Sequence, residues 1–529
     1  MQKRITAVAI IFALLFAGLY MRIYVIINDG RYVETAANQA KCSLNVGNTN
    51  GNIYDRNFNK LVNNDTEFFA AINPTAQAAA EIIIHVIDQD EYYSQLVYGS
   101  PFVCRVDSDQ FESEDITVFE LPKRYGKNQL ACHVIGYVRE GEGVTGIESA
   151  YDNFLRSHIQ LNTVTYGIDG QGNVLQGLKK TVKSDEEMKA GVVLTIDKYI
   201  QAICELAGSK MDKGAVVVMD VQSGDILGMA SFPAYSADNL GEALTDKDSP
   251  LINRCLYSYN VGSIFKLVTA LAAFEQGINE EFSYNCTGST TVDGQVFMCH
   301  DHSGHGNQDM MKAMSNSCNT YFIKLAEKID TELFHDIAER LGFGIPISLA
   351  LGINSSGGNL QTVDELQVSA EKANFSFGQG KLLASPLQIC RFTAALANEG
   401  KLYIPRLVRG VSEDGENIIN EEVPKYISVF DRDTAFRLQD LMIESVNNNP
   451  NSNARPRNVR AAGKTSTAQT GSIDEKNEEI CHGWITGYFP LSQPKYAVTV
   501  LCEGGGYGNE CAAPIFKEIA ERITDIYGK

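Results

Sequence analysis

Hydrophobic and polar positions change period several times along this chain, and each change marks an element. Ile5 to Met21 is almost free of polar residues, and after Arg22 the apolar run resumes as Ile23-Tyr-Val-Ile-Ile27. With Arg22 reaching back to the interface, the stretch is long enough to cross a bilayer. It shows neither the shorter apolar core nor the Ala-x-Ala-like site of a cleaved signal peptide. Lys3 and Arg4 favour a cytoplasmic N-terminus. The pattern therefore predicts a cytoplasmic residue 1–4 segment, a single-pass membrane anchor at 5–27, and an extracytoplasmic remainder. No later stretch is long and apolar enough to cross again.

Residues 28–190 read as a first, mixed unit. Gly51-Asn-Ile-Tyr-Asp55-Arg56-Asn57 has the pattern of a strand running into a turn, and Thr75 to His85 that of a helix. Gly146-Ile-Glu148 opens a short helix, and the charged stretch Lys179 to Lys189 predicts the junction. Residues 191–529 read as one α/β unit. Val192 to Asp197, Ala215 to Asp220 and Ile226 to Ser231 are strand-like, with Gln222-Ser-Gly-Asp225 between the last two as a hairpin signal. A mostly helical block runs from Ser263 to about Gly400. Strand patterns return at Lys464 to Thr470, Trp484 to Phe489 and Ala497 to Cys502, and a helix from Ala513 closes the chain. A sheet assembled from both ends around an inserted helical block places a cleft between the two.

The chemistry concentrates at Ser263-Ile-Phe-Lys266, which heads an apolar run. On a helix, positions i and i+3 share a face, so the hydroxyl and the amine can meet near the positive end of the helix dipole. A serine is a weak nucleophile until a base takes its proton. A lysine is such a base only when desolvation or another cation lowers its pKa. The pattern therefore demands a polar relay and a second cation. Ser317-Cys318-Asn319 and Lys464-Thr465-Ser466-Thr467 supply them. Alone, Ser-x-x-Lys arises by chance on many helices. Followed by Ser-x-Asn and a Lys-Thr element, it forms the set found in penicillin-recognising enzymes.

Composition changes this picture little. Of 529 residues, 44% are hydrophobic and 21% charged, an ordinary globular balance. The formal net charge of −20 argues against nucleic acid or an anionic lipid surface as partner.

Taken together, these motifs resemble the class B penicillin-binding proteins, the monofunctional D,D-transpeptidases of peptidoglycan synthesis. Nearly the whole chain takes part. Gly51-x-Ile-Tyr-Asp-Arg-Asn57, His133-Val-Ile-Gly-Tyr137 and Gly146-Ile-Glu148 look like that family's membrane-proximal motifs. Ser231-Phe-Pro-Ala-Tyr235, Gly378-Gln-Gly380, Pro386-Leu-Gln388, Ala397-Asn-x-Gly400 and Gly487-Tyr-Phe-Pro490 match its transpeptidase domain. The resemblance implies a penicillin-binding, serine β-lactamase-like α/β (α+β) transpeptidase domain on a pedestal, or dimerisation-like, domain at 28–190. It implies catalysis by Ser263, Lys266, Ser317, Asn319 and Lys464, with Thr465, Ser466 and Thr467 binding substrate and no cofactor. It further implies stem peptides as substrates, β-lactams as inhibitors, and docking to a SEDS-class membrane glycosyltransferase and other cell-wall synthesis proteins. That docking is expected through the anchor and the regions of Asp55-Arg56 and Gly146-Ile-Glu148.

Two positions depart from the family pattern. Val261 stands where proline is usual, which changes turn rigidity more than chemistry. Ser466 stands where glycine is usual, and strand alternation points it the same way as Lys464, toward the serine helix.

Twelve cysteines are many for an exported chain. Cys286 and Cys299 bracket a hairpin-like stretch and are the best candidates for a disulfide. Cys299-His300-x-His302-x-x-His305 also has a metal-like spacing, but Gly304-His305-Gly306 matches a family loop leading into the second motif, and no metal is expected. A β-lactam-hydrolysing enzyme, a penicillin-sensing receptor and a non-catalytic scaffold are the alternative functions.

Overall fold

The computed structural model describes residues 2–29, 40–175, 177–237, 239–278, 281–474 and 477–528. They fold as two units, one of residues up to Asn50, Asn63–Arg124 and His158–Met188, the other of Gly51–Val62, Tyr125–Ser157 and Lys189 onward.

In the smaller unit, α1 (Gln2–Asn28) has no buried residue. It has a mean hydropathy of 2.3 over its most apolar window, long and apolar enough to cross a membrane. Two three-stranded antiparallel sheets follow. One orders Lys41–Asn50, Ile159–Gly167 and Thr181–Ser184. The other sets Asp65–Ile72 between Phe102–Val106 and Ile116–Lys123. Helix residues Ala78, Ile82 and Tyr92 cover this second sheet through Ala70, Ile72 and Phe102.

The larger unit is built on a five-stranded antiparallel sheet. Its strands are β1 (Gly214–Asp220), β2 (Ile226–Phe232), β3 (Ala462–Ile473), β4 (Glu479–Phe489) and β5 (Tyr496–Cys502), in the order β2-β1-β5-β4-β3. β1 is apolar at successive positions because both faces are covered. Val216 and Val218 meet α2 (Lys198–Gly208) and the C-terminal helix, whereas Ala215, Val217 and Met219 face the helical block. That block, between β2 and β3, contains α3 (Lys266–Glu275), α4 (Asn319–Ala326) and α5 (Pro386–Ala397), and α6 (Gly508–Tyr527) closes the chain. β3 is the edge strand, so its outer side is free to face the block.

Residues 51–62 and 125–157 precede 190 in the sequence yet pack within this larger unit. Asn52–Tyr54 pairs in parallel with Gly191–Leu194. The family-like Asp55 and Glu148, expected from the sequence on a docking surface, are buried. Glu148 accepts a hydrogen bond from the Tyr125 hydroxyl at 2.9 Å. Asp55 organises the turn after its strand. One carboxylate oxygen accepts the backbone N–H of Asn57 and of Asn59, each at 2.8 Å. The other accepts the Asn59 side chain at 3.0 Å and the backbone N–H of Lys198, in the first turn of α2, at 3.1 Å. A carboxylate that satisfies four donors has a structural use that a surface residue would not need.

Asp55→Ala should therefore destabilise the larger unit by at least about 3 kcal/mol, since it leaves buried donors unpaired. Chemical denaturation of the purified variant checks this, and an unchanged midpoint would show that the Asp55 network is dispensable.

Candidate active site

Ser263 lies in a single 3-10 turn, Gly262–Phe265, that runs directly into α3. The i, i+3 relation holds across this junction, and Lys266 is the first residue of the α-helical part. Gly262 has φ +63°, a left-handed conformation that favours glycine. Its N–H donates to the Gly378 carbonyl at 2.8 Å. Gly378 has φ +76°, and a Cβ there would lie 2.1 Å from the Gly262 carbonyl oxygen. The Gly378-Gln-Gly380 motif thus holds the backbone just before the serine by an approach that no side chain permits.

Ser263 is half-buried, whereas Lys266 is fully buried. Lys266 Nζ lies 3.0 Å from Ser263 Oγ, 3.2 Å from Ser317 Oγ, 2.6 Å from the Ser317 carbonyl oxygen and 2.8 Å from Asn319 Oδ1. The Ser317 hydroxyl is 2.8 Å from Ser263 Oγ. Its backbone has φ +51°, an uncommon conformation for a residue with a side chain, and this turn brings both its hydroxyl and its carbonyl to the lysine. Asn319 opens α4, and its amide nitrogen donates to the Met298 carbonyl at 3.3 Å.

Lys464 reaches the same point from β3. Its Nζ lies 3.2 Å from Ser317 Oγ and donates to the Thr465 carbonyl at 2.9 Å. It is only 2% exposed. Burial pulls its pKa down to about 8. The Lys266 amine is pushed well below the ordinary lysine range, first by desolvation and then by the charge of Lys464. Among the described residues, neither lysine forms an ion pair with a carboxylate.

The remaining β3 positions divide by side. Thr465 and Thr467 are half-buried and share one face of the strand. The Thr467 hydroxyl oxygen accepts the Gly508 N–H at 3.2 Å. Ser466 faces the serine turn, as alternation predicts. Its hydroxyl is buried and donates to the Val261 carbonyl at 2.8 Å. A Cβ on Gly262 would lie 2.4 Å from that hydroxyl oxygen. The serine is accommodated where glycine is usual because Gly262 leaves the space, and its side chain fastens the strand to the turn.

The twelve cysteines are all free thiols. Cys286 and Cys299 do not bridge, because both turn toward His305. All eight site residues expected from the sequence lie in or beside this one cluster. The sequence reading did not single out the supporting role of Gly378, since only its quoted motif, and no reactive side chain, marked it.

Comparison with known proteins agrees with this geometry. The penicillin binding protein transpeptidase domain matches residues 214–521. The peptidoglycan D,D-transpeptidase MrdA of Salmonella typhimurium is 26% identical over 605 residues, covering 98% of this chain and 94% of that protein. Its counterpart of the same name in Haemophilus influenzae is 26% identical over 484 residues, covering 79% of this chain and 71% of that protein. The fold is similar to that of a chain solved under the description "Structural coordination of polymerization and crosslinking by a peptidoglycan synthase complex". There the TM-score is 0.70 at 23% identity, covering 99% of each chain. The matched domain spans more than half of this chain and contains Ser263, Ser317 and Lys464, so the protein belongs to the penicillin-binding protein transpeptidase family, as a class B member.

Proposed function

We propose that this protein is a peptidoglycan D,D-transpeptidase that cross-links stem peptides through an acyl-enzyme on Ser263. The observation that carries the reading is the buried Lys266 amine, in contact with both Ser263 Oγ and Ser317 Oγ and without a carboxylate partner among the described residues. A lysine so placed is a base in its neutral form. It takes the Ser263 proton as the hydroxyl oxygen attacks the carbonyl of the penultimate D-Ala. Ser317, within reach of Ser263, Lys266 and Lys464, passes a proton to the departing amine of the terminal D-Ala. Asn319 holds Lys266 and a substrate amide. Lys464 keeps the site positive, and with Thr465 and Thr467 it binds the terminal carboxylate. Ser466 supports them by fixing β3 to the serine turn. The backbone N–H groups of Ser263 and Thr467 stabilise the oxyanion, a type of contact worth roughly 3 kcal/mol. An amine of a neighbouring stem peptide then attacks the ester, and Ser263 regains its proton.

A fluorescent penicillin should label Ser263 alone, and Ser263→Ala should abolish labelling without changing the melting curve. Lys266→Arg keeps the charge but cannot act as a base at neutral pH, so it should acylate orders of magnitude more slowly. No carboxylate is hydrogen-bonded to Ser263, Lys266 or Ser317 among the described residues, which supports slow hydrolysis of the adduct. Labelling at another residue, or near wild-type acylation in the arginine variant, would overturn the assignment. So would sustained drug hydrolysis.

The same reading places α1 across the membrane with residues 1–4 in the cytoplasm and the catalytic unit outside. The support is the length and apolarity of α1 and the basic Lys3 and Arg4 before its apolar run. A periplasmic-type reporter fused to the C-terminus should be active in cells and remain in the membrane fraction. Activity in a released, processed form would show that the segment is a signal peptide.

The partner in this reading is a SEDS-class glycosyltransferase that polymerises the strands to be cross-linked. The described likeness to a chain of a peptidoglycan synthase complex supports it. Because Asp55 and Glu148 are buried, the anchor becomes the part to test. Co-purification with such a polymerase should survive Ser263→Ala and fall when α1 is exchanged for an unrelated transmembrane helix. Undiminished association after the exchange would remove the anchor from the docking surface.

A further inference from the structure

The backbone that presents Ser263 has little restraint of its own. Gly262, just before it, is left-handed, and glycine is the residue least restricted by its own structure. Val261 has φ −88°, and its N–H donates no hydrogen bond among the described residues. The restraint comes from outside the segment, and each residue from 259 to 262 is gripped by a different element. Gly262 is tied to Gly378, and the Val261 carbonyl to the Ser466 hydroxyl of β3. The Asn260 carbonyl accepts Nε1 of Trp484, the chain's single tryptophan, at 2.9 Å from β4. The Tyr259 hydroxyl donates to Glu503 Oε2 at 3.3 Å.

Glu503, the first residue after β5, is itself fixed. The oxygen that accepts Tyr259 also accepts Arg254 Nε at 2.6 Å. The Arg254 side chain is only 4% exposed. Its other two guanidinium nitrogens donate to the Ser249 carbonyl at 3.2 Å and the Asp248 carbonyl at 2.7 Å. Its backbone N–H donates to the Ser231 hydroxyl at 3.0 Å, and that of Glu503 to the Lys213 carbonyl at 2.9 Å. A buried guanidinium with every nitrogen partnered holds its carboxylate in one place. The Tyr259 ring stands edge-on to His482 and Trp484, with ring centres 5.3 Å and 6.3 Å away. Burial pulls the His482 imidazole below its usual range, and its Nδ1 accepts the Gly504 N–H at 3.1 Å. At the far end of the same loop, the Gly508 N–H donates to Thr467 of β3. The stretch from Glu503 to Gly508 thus touches both the serine turn and the strand opposite it.

We propose that Tyr259 and Glu503 are positioning residues for acylation, and that the buried Arg254–Glu503 pair is the fixed point against which the serine turn is set. Neither residue touches the reacting atoms. Tyr259–Asn260 also pairs with Leu383–Ala384, which keeps the segment extended. A pairing of two residues leaves its position relative to β3 and β4 open, and the tyrosine hydroxyl and the Trp484 indole close that freedom. A shift of Tyr259 passes through four residues to Ser263 Oγ, whose distances to Lys266 and Ser317 govern proton transfer. Small misplacements of reacting groups cost far more rate than stability. The inference rests on Ser263 being the residue acylated.

The test uses the full-length protein in detergent and a fluorescent penicillin, with labelling followed over a range of concentrations. This separates the dissociation constant of the non-covalent complex from the acylation rate constant. Tyr259→Phe removes one hydroxyl and leaves the ring and the ion pair. It should lower the acylation rate constant severalfold, with the dissociation constant and the melting curve unchanged. Glu503→Gln should also lower the rate constant, and the double variant should lose no more than the worse of the two, since both break one connection. Trp484 reads the segment without any drug. Both single variants should shift its emission to the red and raise its quenching by acrylamide. Val261→Pro restrains the same backbone by another route, since the residue has φ close to the proline range, follows extended Asn260 and loses no hydrogen bond. Added to Tyr259→Phe, it should restore most of the rate. Lys213→Ala, which removes the neighbouring ion pair to Asp248, should match the wild type. Wild-type protein that does not label at Ser263 would defeat the catalytic reading, and Trp484 emission would still decide whether Tyr259 and Glu503 hold the turn. A wild-type rate constant in Tyr259→Phe or unchanged emission in both variants would overturn the proposal. So would additive losses in the double variant, no rescue by Val261→Pro, or an equal loss in Lys213→Ala.

Discussion

A lysine amine removed from water, with no carboxylate partner among the described residues, is the constraint around which the larger unit is arranged. Lys266 is fully buried, and its contacts are neutral oxygens from Ser263, Ser317 and Asn319. The Phe322 ring lies 5.7 Å from its nitrogen. A carboxylate there would hold the proton on the amine. The surroundings instead supply polarity without charge, and β3 adds the second cation, Lys464. Burial and like charge act in the same direction, so the amine is held closer to its neutral, basic form. This requires a large apolar core around α3, since only close-packed side chains keep water from the charge.

The same requirement explains how the edge strand and the serine turn are joined. Gly262 and Gly378 allow two stretches of backbone to approach more closely than side chains would permit. Ser466 then fills the remaining space with a hydrogen bond to Val261. A serine at a position where the family usually has glycine is therefore matched by the glycine opposite it. The Ser466 hydroxyl joins β3 to the turn from the strand face opposite to that of Thr465 and Thr467.

The outlines of the fold and the reactive groups were legible in the sequence for local reasons. Ser263 and Lys266 lie three residues apart, so helical geometry alone brings them together. Thr465 and Thr467 share a face through strand alternation. The continuous apolar run of β1 reports burial on both sides. What was not legible involves partners far apart in the chain. Asp55 and Glu148 have the charge of surface residues, and only pairing of Asn52–Tyr54 with a strand 139 residues later, at Gly191–Leu194, puts Asp55 inside. In the same way Cys286 and Cys299 suggested a disulfide because they flank a hairpin, while the structure turns both toward His305.

Residue type and short spacing alone nominated the groups proposed to carry the chemistry, a nucleophile, a base, a relay and a second cation. The sequence also marked α1, the one helix among the described residues long and apolar enough for a membrane, since that depends on length and composition alone. The tertiary structure decided whether Lys266 is buried, whether Ser317 stands between two lysines, and whether three thiols and an imidazole come within 4.8 Å of one another. Those properties come from segments separated by tens to hundreds of residues. Their approach is governed by core packing and backbone pairing, which periodicity within any one segment does not encode.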